Sequence, residues 1–318
     1  MHRKGLVLVA AAAATWGMSA TAAKVLFVRG HVPPATLVSV RLSLSFIMLL
    51  VVLGAVRPQL LRISRADLLH SAVLGVAGMA MVQYTYFVTI SHANVAVAIF
   101  LQDLAPFLVA GYELVIGRRA PRGRHLATLA LVVPGAFLLL FGLGLNLQVD
   151  TTSLLSGLAS AGFLAFYTIW AGLRIHRLPP VTMLLYAFGF GAVFWIASTG
   201  GRGLSAAVSS PWQWPAYLFI ASVGTVIPFG LYFSGLRYAS AIDATLALAL
   251  EPLVGGLSAA VVVHERISPV QGVGGMLILV ALLVLATRSW EKLEQGGFRH
   301  GKLAPAPDSV GDQPGFRH

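Results

Sequence analysis

Long apolar runs separated by short polar connections dominate the sequence. A helix needs about 20 predominantly apolar residues to cross the hydrocarbon layer of a membrane. The pattern predicts ten such helices, at residues 5–28, 36–56, 67–90, 94–117, 125–145, 153–174, 181–200, 214–236, 244–264 and 269–287. Since no segment between them is long enough for a soluble domain, the fold class expected is an all-α membrane protein.

Some of the less common residues recur at a constant separation along the chain. At an offset of 146 positions, the matching sets are Pro33-Pro34 with Pro179-Pro180, Tyr86-Phe87 with Tyr232-Phe233, and Pro106 with Pro252. Each copy then holds five predicted spans, and an odd number places the second copy in the membrane in the opposite orientation. The sequence predicts two inverted five-helix repeats, residues 1–146 and 147–288, and a disordered cytoplasmic tail at 289–318.

Composition excludes an ordinary soluble protein. Only 10% of the 318 residues are charged and 57% are hydrophobic, whereas soluble domains carry about 25% charged residues. Cysteine is absent, which excludes disulfides, thiol nucleophiles and thiolate metal sites.

The net charge of +11 comes from basic residues in the connections between spans. With the N-terminus inside, 17 Lys and Arg residues lie in internal segments and 3 in external loops. Basic residues are retained on the cytoplasmic side, so we expect a multi-pass protein of the cell (inner or cytoplasmic) membrane with both termini cytoplasmic. Nucleic acid is not an expected partner, because no basic face with interleaved aromatic residues occurs outside the loops.

Several short motifs resemble a known transporter family. The opening is Thr15-Trp16-Gly17 with Lys24, Pro34 and Arg41, and the close is Glu251-Pro252 with His264-Glu265-Arg266 and Ser268-Pro269-Val270-Gln271. In order and spacing, over about residues 6–286, these resemble the EamA-type repeats of the drug/metabolite transporter superfamily. The resemblance implies a ten-helix carrier that exports or imports small metabolites, amino acids or drugs, and it names no substrate.

Two carboxylates lie near the middle of predicted spans, where an ionisable residue costs some 2.5–3.5 kcal/mol on insertion scales. Asp103 lies roughly 14 Å into the fourth span and Glu251 roughly 11–12 Å into the ninth, at 1.5 Å per residue. Both precede a proline, Pro106 or Pro252, which leaves a carbonyl four residues earlier without its helical partner. Substrate or proton binding is one interpretation, and a protonated or Lys-paired carboxyl that ties two helices together is the other. Asp103 also departs from the family resemblance, since an apolar or small residue is expected there.

Six further residues are candidates for a substrate site. The basic residues Lys24 and Arg41 lie within one or two turns of the outer ends of spans one and two. They either snorkel to the interface or line an outer vestibule and offset Asp103. Aromatic residues predicted near the centre provide candidate cavity walls, although packing is the alternative for them: Trp16, Tyr86, Tyr167 and Tyr232.

The function expected from these features is a secondary active transporter that works by alternating access, with export favoured. Its partners would be a small-molecule substrate, the lipid bilayer, and a proton or ion as a candidate coupling species. No cofactor, metal site or enzymatic activity is expected, because nucleotide-binding, hydrolase and metalloprotease motifs are absent from the sequence. The alternatives are a non-transporting membrane sensor or assembly subunit, or an intramembrane enzyme.

Overall fold

The described part of the chain is helical throughout. The computed structural model describes residues 2–93, 95–117, 120–141, 150–208, 211–263 and 268–286, and contains no strand within those ranges. The predicted tail at 289–318 lies outside the described residues, as do residues 264–267 of the closing motif.

Within its described residues, the first half contains seven α-helices. They are α1 (His2–Gly30), α2 (Pro34–Val56), α3 (Arg65–Val73), α4 (Met81–His92), α5 (Val95–Gln102), α6 (Ala105–Val115) and α7 (Gly123–Phe141). A π-helical segment, Leu74–Ala80, joins α3 to α4, and a 3₁₀ turn, Pro58–Leu61, follows α2.

The second half contains eight α-helices in the part that the structure describes. They are α8 (Thr151–Gly172), α9 (Pro180–Ser198), α10 (Arg202–Val208), α11 (Trp214–Ala221), α12 (Ile227–Leu236), α13 (Ala241–Ala247), α14 (Leu250–Val263) and α15 (Pro269–Ala286). A 3₁₀ turn, Pro211–Gln213, precedes α11, and a π-helical segment, Ser222–Val226, joins α11 to α12.

Eight of these helical segments are long and apolar enough to cross a membrane, counted over the described residues. A shorter apolar helix, Gly123–Leu139, covers the fifth predicted span. The ninth predicted span corresponds to α13 and α14, which are separate short helices. The structure therefore confirms the all-helical, multi-pass fold expected from the sequence.

Local sequence determines where several helices begin. Pro34 and Pro180 stand at the first position of α2 and α9, where the missing N–H costs no helical hydrogen bond. The hydroxyl of Ser64 accepts a hydrogen bond from the backbone N–H of Asp67 at the start of α3. Ser240 caps α13 through the N–H of Asp243 in the same way. Such caps satisfy backbone donors that the first helical turn leaves without partners.

The two halves interleave instead of lying side by side. Helix α1 packs against α12 and α14, while α8 packs against α4, α5 and α6. Helix α2 lies on α9, and α7 lies on α15. Most buried apolar side chains consequently belong to one continuous core to which both halves contribute.

Two ion pairs join the halves at the end of the molecule where α3 and α13 begin. Asp67 bonds to Arg174 at 2.6 Å. Asp243 bonds to Arg124 and to His125, each at 3.1 Å, and all three of these side chains are buried. Both aspartates belong to the helix caps described above, so each capped helix is also tied to the opposite half.

Asp243 lies just before the ninth predicted span, which begins at residue 244. Burial alone would raise the pKa of its carboxyl. Hydrogen bonds from His125 and Ser240, together with the charge of Arg124, outweigh burial and lower the pKa of Asp243 to about 2. The carboxylate is therefore ionised over the physiological pH range.

Gly75 permits the closest approach between α9 and the third span. A Cβ at this position would overlap the carbonyl oxygen of Ala187 and lie 2.9 Å from its carbonyl carbon and Cα. These are backbone atoms, which cannot rotate away as a side chain can. The absence of a side chain at residue 75 therefore sets the spacing of the two segments.

We expect Gly75→Ala to destabilise the protein by about 1–3 kcal/mol, the usual cost of overpacking. The measurement is the apparent unfolding temperature of the purified protein in detergent. Gly111→Ala is the matched control, because a Cβ there meets nothing within 4 Å, and this variant should not lower stability. An unchanged unfolding temperature for Gly75→Ala would contradict the packing described.

Candidate functional site

A cavity lies at the centre of the helical bundle. Its empty volume is about 570 Å³, a figure that includes open space at its mouth. Its polar lining comprises Ser19, Arg41, Gln83, Gln102 and Glu251. Its aromatic lining comprises Trp16, Tyr86, Phe87, Tyr167 and Phe229. Both halves of the chain contribute, so the cavity exists only when they are packed together.

Close packing of α1 on α14 forms one wall. A Cβ on Gly17 would lie 2.7 Å from the carbonyl oxygen of Glu251 and 2.9 Å from the backbone N of Gly255. The glycine lets the two backbones approach, which brings Trp16 and Glu251 into the same cavity. The indole of Trp16 packs edge-on against Phe229, with ring centroids 4.8 Å apart.

Arg41 projects from α2 into the bundle interior and is only 5% exposed. Its Nε donates to the hydroxyl of Thr225 at 3.0 Å, and its Nη2 donates to the carbonyl of Gly224 at 2.8 Å. The guanidinium lies 5.0 Å from the ring centre of Phe87. Arg41 therefore does not snorkel to the interface, and its guanidinium faces the cavity.

Glu251 is the buried carboxylate of the cavity, at 6% exposure. It lies in the first turn of α14, where the positive end of a helix favours an anion. The hydroxyl of Tyr86 donates to its Oε1 across a long 3.4 Å hydrogen bond. The helix is interrupted between α13 and α14, at residues 248–249, just before this position.

This interruption agrees with the expected effect of Pro252. The carbonyl of Leu248 has no i+4 donor, because residue 252 is proline, and it accepts instead an i+3 hydrogen bond from the N–H of Glu251 at 2.7 Å. In the first half, residues 103–104 interrupt the helix between α5 and α6, just before Pro106. Both prolines thus mark opened helices beside a carboxylate.

Asp103 lies in the interruption between α5 and α6. Its Oδ2 is buried and has no hydrogen-bond partner among the described residues. Asp103 is not among the residues that line the cavity. Of the two predicted carboxylates, the structure therefore places Glu251 in the cavity lining and Asp103 outside it.

Two glutamines complete the polar lining, and neither is among the site residues predicted from the sequence. Gln83 is 5% exposed, and neither its side-chain oxygen nor its nitrogen has a partner in the described part of the chain. Gln102 donates from Nε2 to the hydroxyl of Ser160. In the sequence, a glutamine within an apolar span indicates a polar contact inside the bundle. Whether its side chain faces the cavity depends on how the helices pack.

Aromatic side chains close one end of the cavity. Tyr167 lines it, whereas Tyr232 is fully buried behind it, with its hydroxyl 2.7 Å from that of Thr168. The ring centroids of the two tyrosines lie 5.8 Å apart. Tyr232 also contacts Trp16, at 5.7 Å between centroids. Of the four predicted aromatic residues, Trp16, Tyr86 and Tyr167 line the cavity and Tyr232 supports them.

Lys24 lies away from the cavity lining. Its ammonium donates to the carbonyl of Ile90 at 2.8 Å and to that of Ala93 at 3.0 Å. These carbonyls belong to the last turn of α4 and the residue after it, where a cation satisfies free acceptors and complements the helix dipole. Lys24 therefore connects α1 to the end of α4.

The cavity lining combines a guanidinium, a buried carboxylate, amide groups and aromatic faces. No group of three or more potential metal ligands occurs within the described ranges.

The sequence is similar to proteins named as transporters. The family model described as "EamA-like transporter family" matches residues 3–141 and again residues 151–287. The chain is 26% identical over 290 residues to "Uncharacterized inner membrane transporter YicL" of Salmonella typhimurium, covering 90% of this chain and 96% of that protein. It is 25% identical over 221 residues to "Uncharacterized transporter YwfM" of Bacillus subtilis, covering 65% of this chain and 70% of that protein.

A solved crystal structure has the same fold. Its TM-score is 0.70, at 18% sequence identity, and the match covers 91% of this chain and 98% of the other. At that identity the likeness concerns the fold alone.

Proposed function

The chain belongs to the EamA-like transporter family, and from this membership and the central cavity we propose that it is a secondary active carrier for small molecules. It works by alternating access and is not an enzyme. The observation that carries the proposal is the cavity itself. Both halves line it, and its lining includes the buried guanidinium of Arg41 and the buried carboxylate of Glu251. Such charges are costly within a membrane and mark substrate or ion pathways.

We further propose that the chain forms ten spans in two inverted repeats, residues 1–146 and 147–288. The packing pattern supports this, since α1 packs on α12 and α14 much as α8 packs on α4 and on α5 and α6. The π-helical segments Leu74–Ala80 and Ser222–Val226 overlap when shifted by 146 positions. Two copies of one unit that exchange their shapes would open the site first to one side and then to the other.

The contacts support a conformation that is closed towards the cytoplasm. The aromatic layer formed by Tyr167 and Tyr232 belongs to the C-terminal ends of α8 and α12, the ends that the positive-inside rule assigns to the cytoplasm. The ion pairs of Asp67 and Asp243 join the two halves at those same ends. Opening to the cytoplasm would have to break contacts in this layer. In this assignment, the protein spans the cell (inner or cytoplasmic) membrane and both termini lie on its cytoplasmic side.

Within the site, we propose Glu251 and Asp103 as the carboxylates that bind substrate or a coupling proton, and Arg41 as the fixed cation. Trp16, Tyr86 and Tyr167 would contact the substrate, and Tyr232 would hold them in place. Lys24 was also predicted to bind substrate; its contacts with the end of α4 support a positioning role.

Single cysteines in this cysteine-free chain test the alternation and the orientation together. In membrane vesicles of known sidedness, we expect Ser19→Cys in the cavity wall to react with a membrane-impermeant maleimide from either side. The controls are exposed positions at opposite ends of the bundle. Thr152→Cys should react from outside only, and Ala66→Cys from the cytoplasmic side only.

Two results would overturn the proposal. Reaction of residue 19 from one side alone under all conditions would contradict alternating access. Reaction of residues 66 and 152 from the same face would contradict the topology. Export is the direction we propose, and it is tested by flux in right-side-out and inverted vesicles with opposed substrate and proton gradients.

A further inference from the structure

A cluster of arginines lies at the end of the bundle where α2 ends and α3 begins. Three of them, Arg57, Arg62 and Arg65, occur within nine residues, and all three are exposed. Arg177, which is also exposed, lies in the connection between α8 and α9. Together, these four arginines form what we call the basic surface.

Hydrogen bonds between the halves bring the two connections together. The hydroxyl of Thr182, in the first turn of α9, donates to the carbonyl of Leu60 at 2.8 Å. The hydroxyl of Tyr186, one turn further along α9, donates to the carbonyl of Leu61. These bonds fix the 3₁₀ turn that carries the first arginines against the helix that follows Arg177. The basic surface is therefore built on a fixed backbone to which both halves contribute.

The positive charge of this surface is not balanced within the protein. Residues 57–70 and 172–182 together contain five arginines and one acidic residue, Asp67, which bonds to Arg174 at 2.6 Å. None of the four arginines of the basic surface forms an ion pair within the described ranges. Arg65 is also the first residue of α3, where the helix dipole disfavours a cation. An anion from outside the chain would relieve the repulsion between these charges.

Exposed apolar side chains adjoin the arginines. Val56, Leu69 and Leu173 are 72%, 68% and 61% exposed. Val56 directly precedes Arg57, and Leu69 follows Arg65 by four positions, on the same face of α3. A small anion in solution would make no use of these apolar neighbours. A phospholipid matches both features, because it presents a phosphate to the arginines and acyl chains to the apolar side chains.

We propose that the basic surface binds the headgroup of an anionic phospholipid, whose acyl chains pack on Val56, Leu69 and Leu173. Guanidinium groups suit this partner because they bind phosphate oxygens through paired, charge-assisted hydrogen bonds. Each basic residue next to a membrane span adds to the attraction for anionic lipid. This interaction goes beyond the proposed carrier function and does not depend on it.

Quenching of a fluorophore by brominated lipid measures the lipid preference at chosen positions of the cysteine-free chain. Leu69→Cys carries bimane beside the basic surface, and Leu155→Cys carries it at an exposed position near the start of α8, at the opposite end of the bundle. The full-length protein is reconstituted in mixtures of phosphatidylglycerol and phosphatidylcholine, with brominated chains on one lipid at a time. We expect phosphatidylglycerol to be preferred at least about fivefold at residue 69 and less than about twofold at residue 155.

Substitutions test whether the arginines cause the preference at residue 69. Arg62→Gln combined with Arg65→Gln should reduce it to about twofold or less, because two of the four charges are removed. Arg62→Lys combined with Arg65→Lys should retain most of it, because the charges remain. Arg202→Gln changes an exposed arginine at the start of α10 and is the matched control, which should leave the preference unchanged.

Three results would overturn the proposal. Equal preferences at residues 69 and 155 would mean that the arginines only orient the chain in the membrane. A preference at residue 69 that survives the double glutamine substitution would place the anionic lipid elsewhere. Loss of the preference on addition of millimolar glycerol 3-phosphate would assign the basic surface to a soluble phosphate instead of a lipid. None of these measurements involves transport, so each of these results would leave the proposed carrier function intact.

Discussion

Glu251→Gln is expected to reduce transport roughly ten- to hundredfold at low substrate concentration. The amide has the shape of the carboxylate but cannot be ionised, so it loses a charge-assisted contact worth about 1.5–3 kcal/mol. It also cannot exchange a proton, which any proton-coupled cycle through Glu251 requires. The measurement is the initial rate of counterflow in proteoliposomes, for each radiolabelled compound that the wild-type protein moves in a panel of amino acids, amines and neutral metabolites.

Asp150→Asn is the matched control for that experiment. Asp150 is a carboxylate that caps α8 by accepting a hydrogen bond from the N–H of Ser153 at 2.7 Å, and asparagine caps helices equally well. Its transport rate should equal that of the wild type at the same protein content per liposome. Retention of more than about half of the wild-type rate in Glu251→Gln would contradict a role for this carboxylate in the transport cycle.

Asp243→Ala is expected to cost about 3–5 kcal/mol of stability, because it leaves the buried charge of Arg124 without its carboxylate. The apparent unfolding temperature in detergent should fall by on the order of 10 °C. Leu69→Ala changes an exposed apolar residue near the same end of the bundle and should have a much smaller effect. A shift as small as that of Leu69→Ala would contradict a structural role for the ion pair.

The pH dependence of this effect has a definite sign. The pKa of Asp243 is lowered to about 2 in the folded protein, against about 3.9 in an unfolded chain. A group whose pKa is lowered on folding stabilises the protein above its unfolded pKa, and the contribution is lost as the pH falls towards the folded value. The difference in stability between wild type and Asp243→Asn should therefore decrease from pH 4 towards pH 2. A difference that grows on acidification would contradict this assignment.

Much of the architecture was predictable from local features of the sequence. Apolar runs gave the positions of the helices, because only a helix satisfies its own backbone hydrogen bonds in lipid. Pro106 and Pro252 gave the interruptions near residues 103–104 and 248–249, since proline removes a backbone donor.

The two basic residues near the outer ends of the first spans show the limit of such reasoning. Lys24 and Arg41 lie at similar depths along their helices, and the sequence offered the same alternatives for both. In the structure, Lys24 bonds to the last carbonyls of α4, whereas Arg41 turns towards the cavity and bonds to Thr225. Their partners are 66 and 184 positions away along the chain, and no local pattern identifies them.

By itself, the sequence determined a multi-pass helical protein, the proline-marked interruptions and the presence of two carboxylates within apolar spans. These follow from hydrophobic burial and backbone hydrogen bonding, which depend on residues close together in the chain. Only the tertiary structure decided that Arg41, Gln83 and Glu251 share one cavity, that Tyr232 lies behind it, and that Asp243 joins the two halves. Those relations depend on the rotation and contact of helices distant in sequence, which side-chain packing sets across the whole bundle.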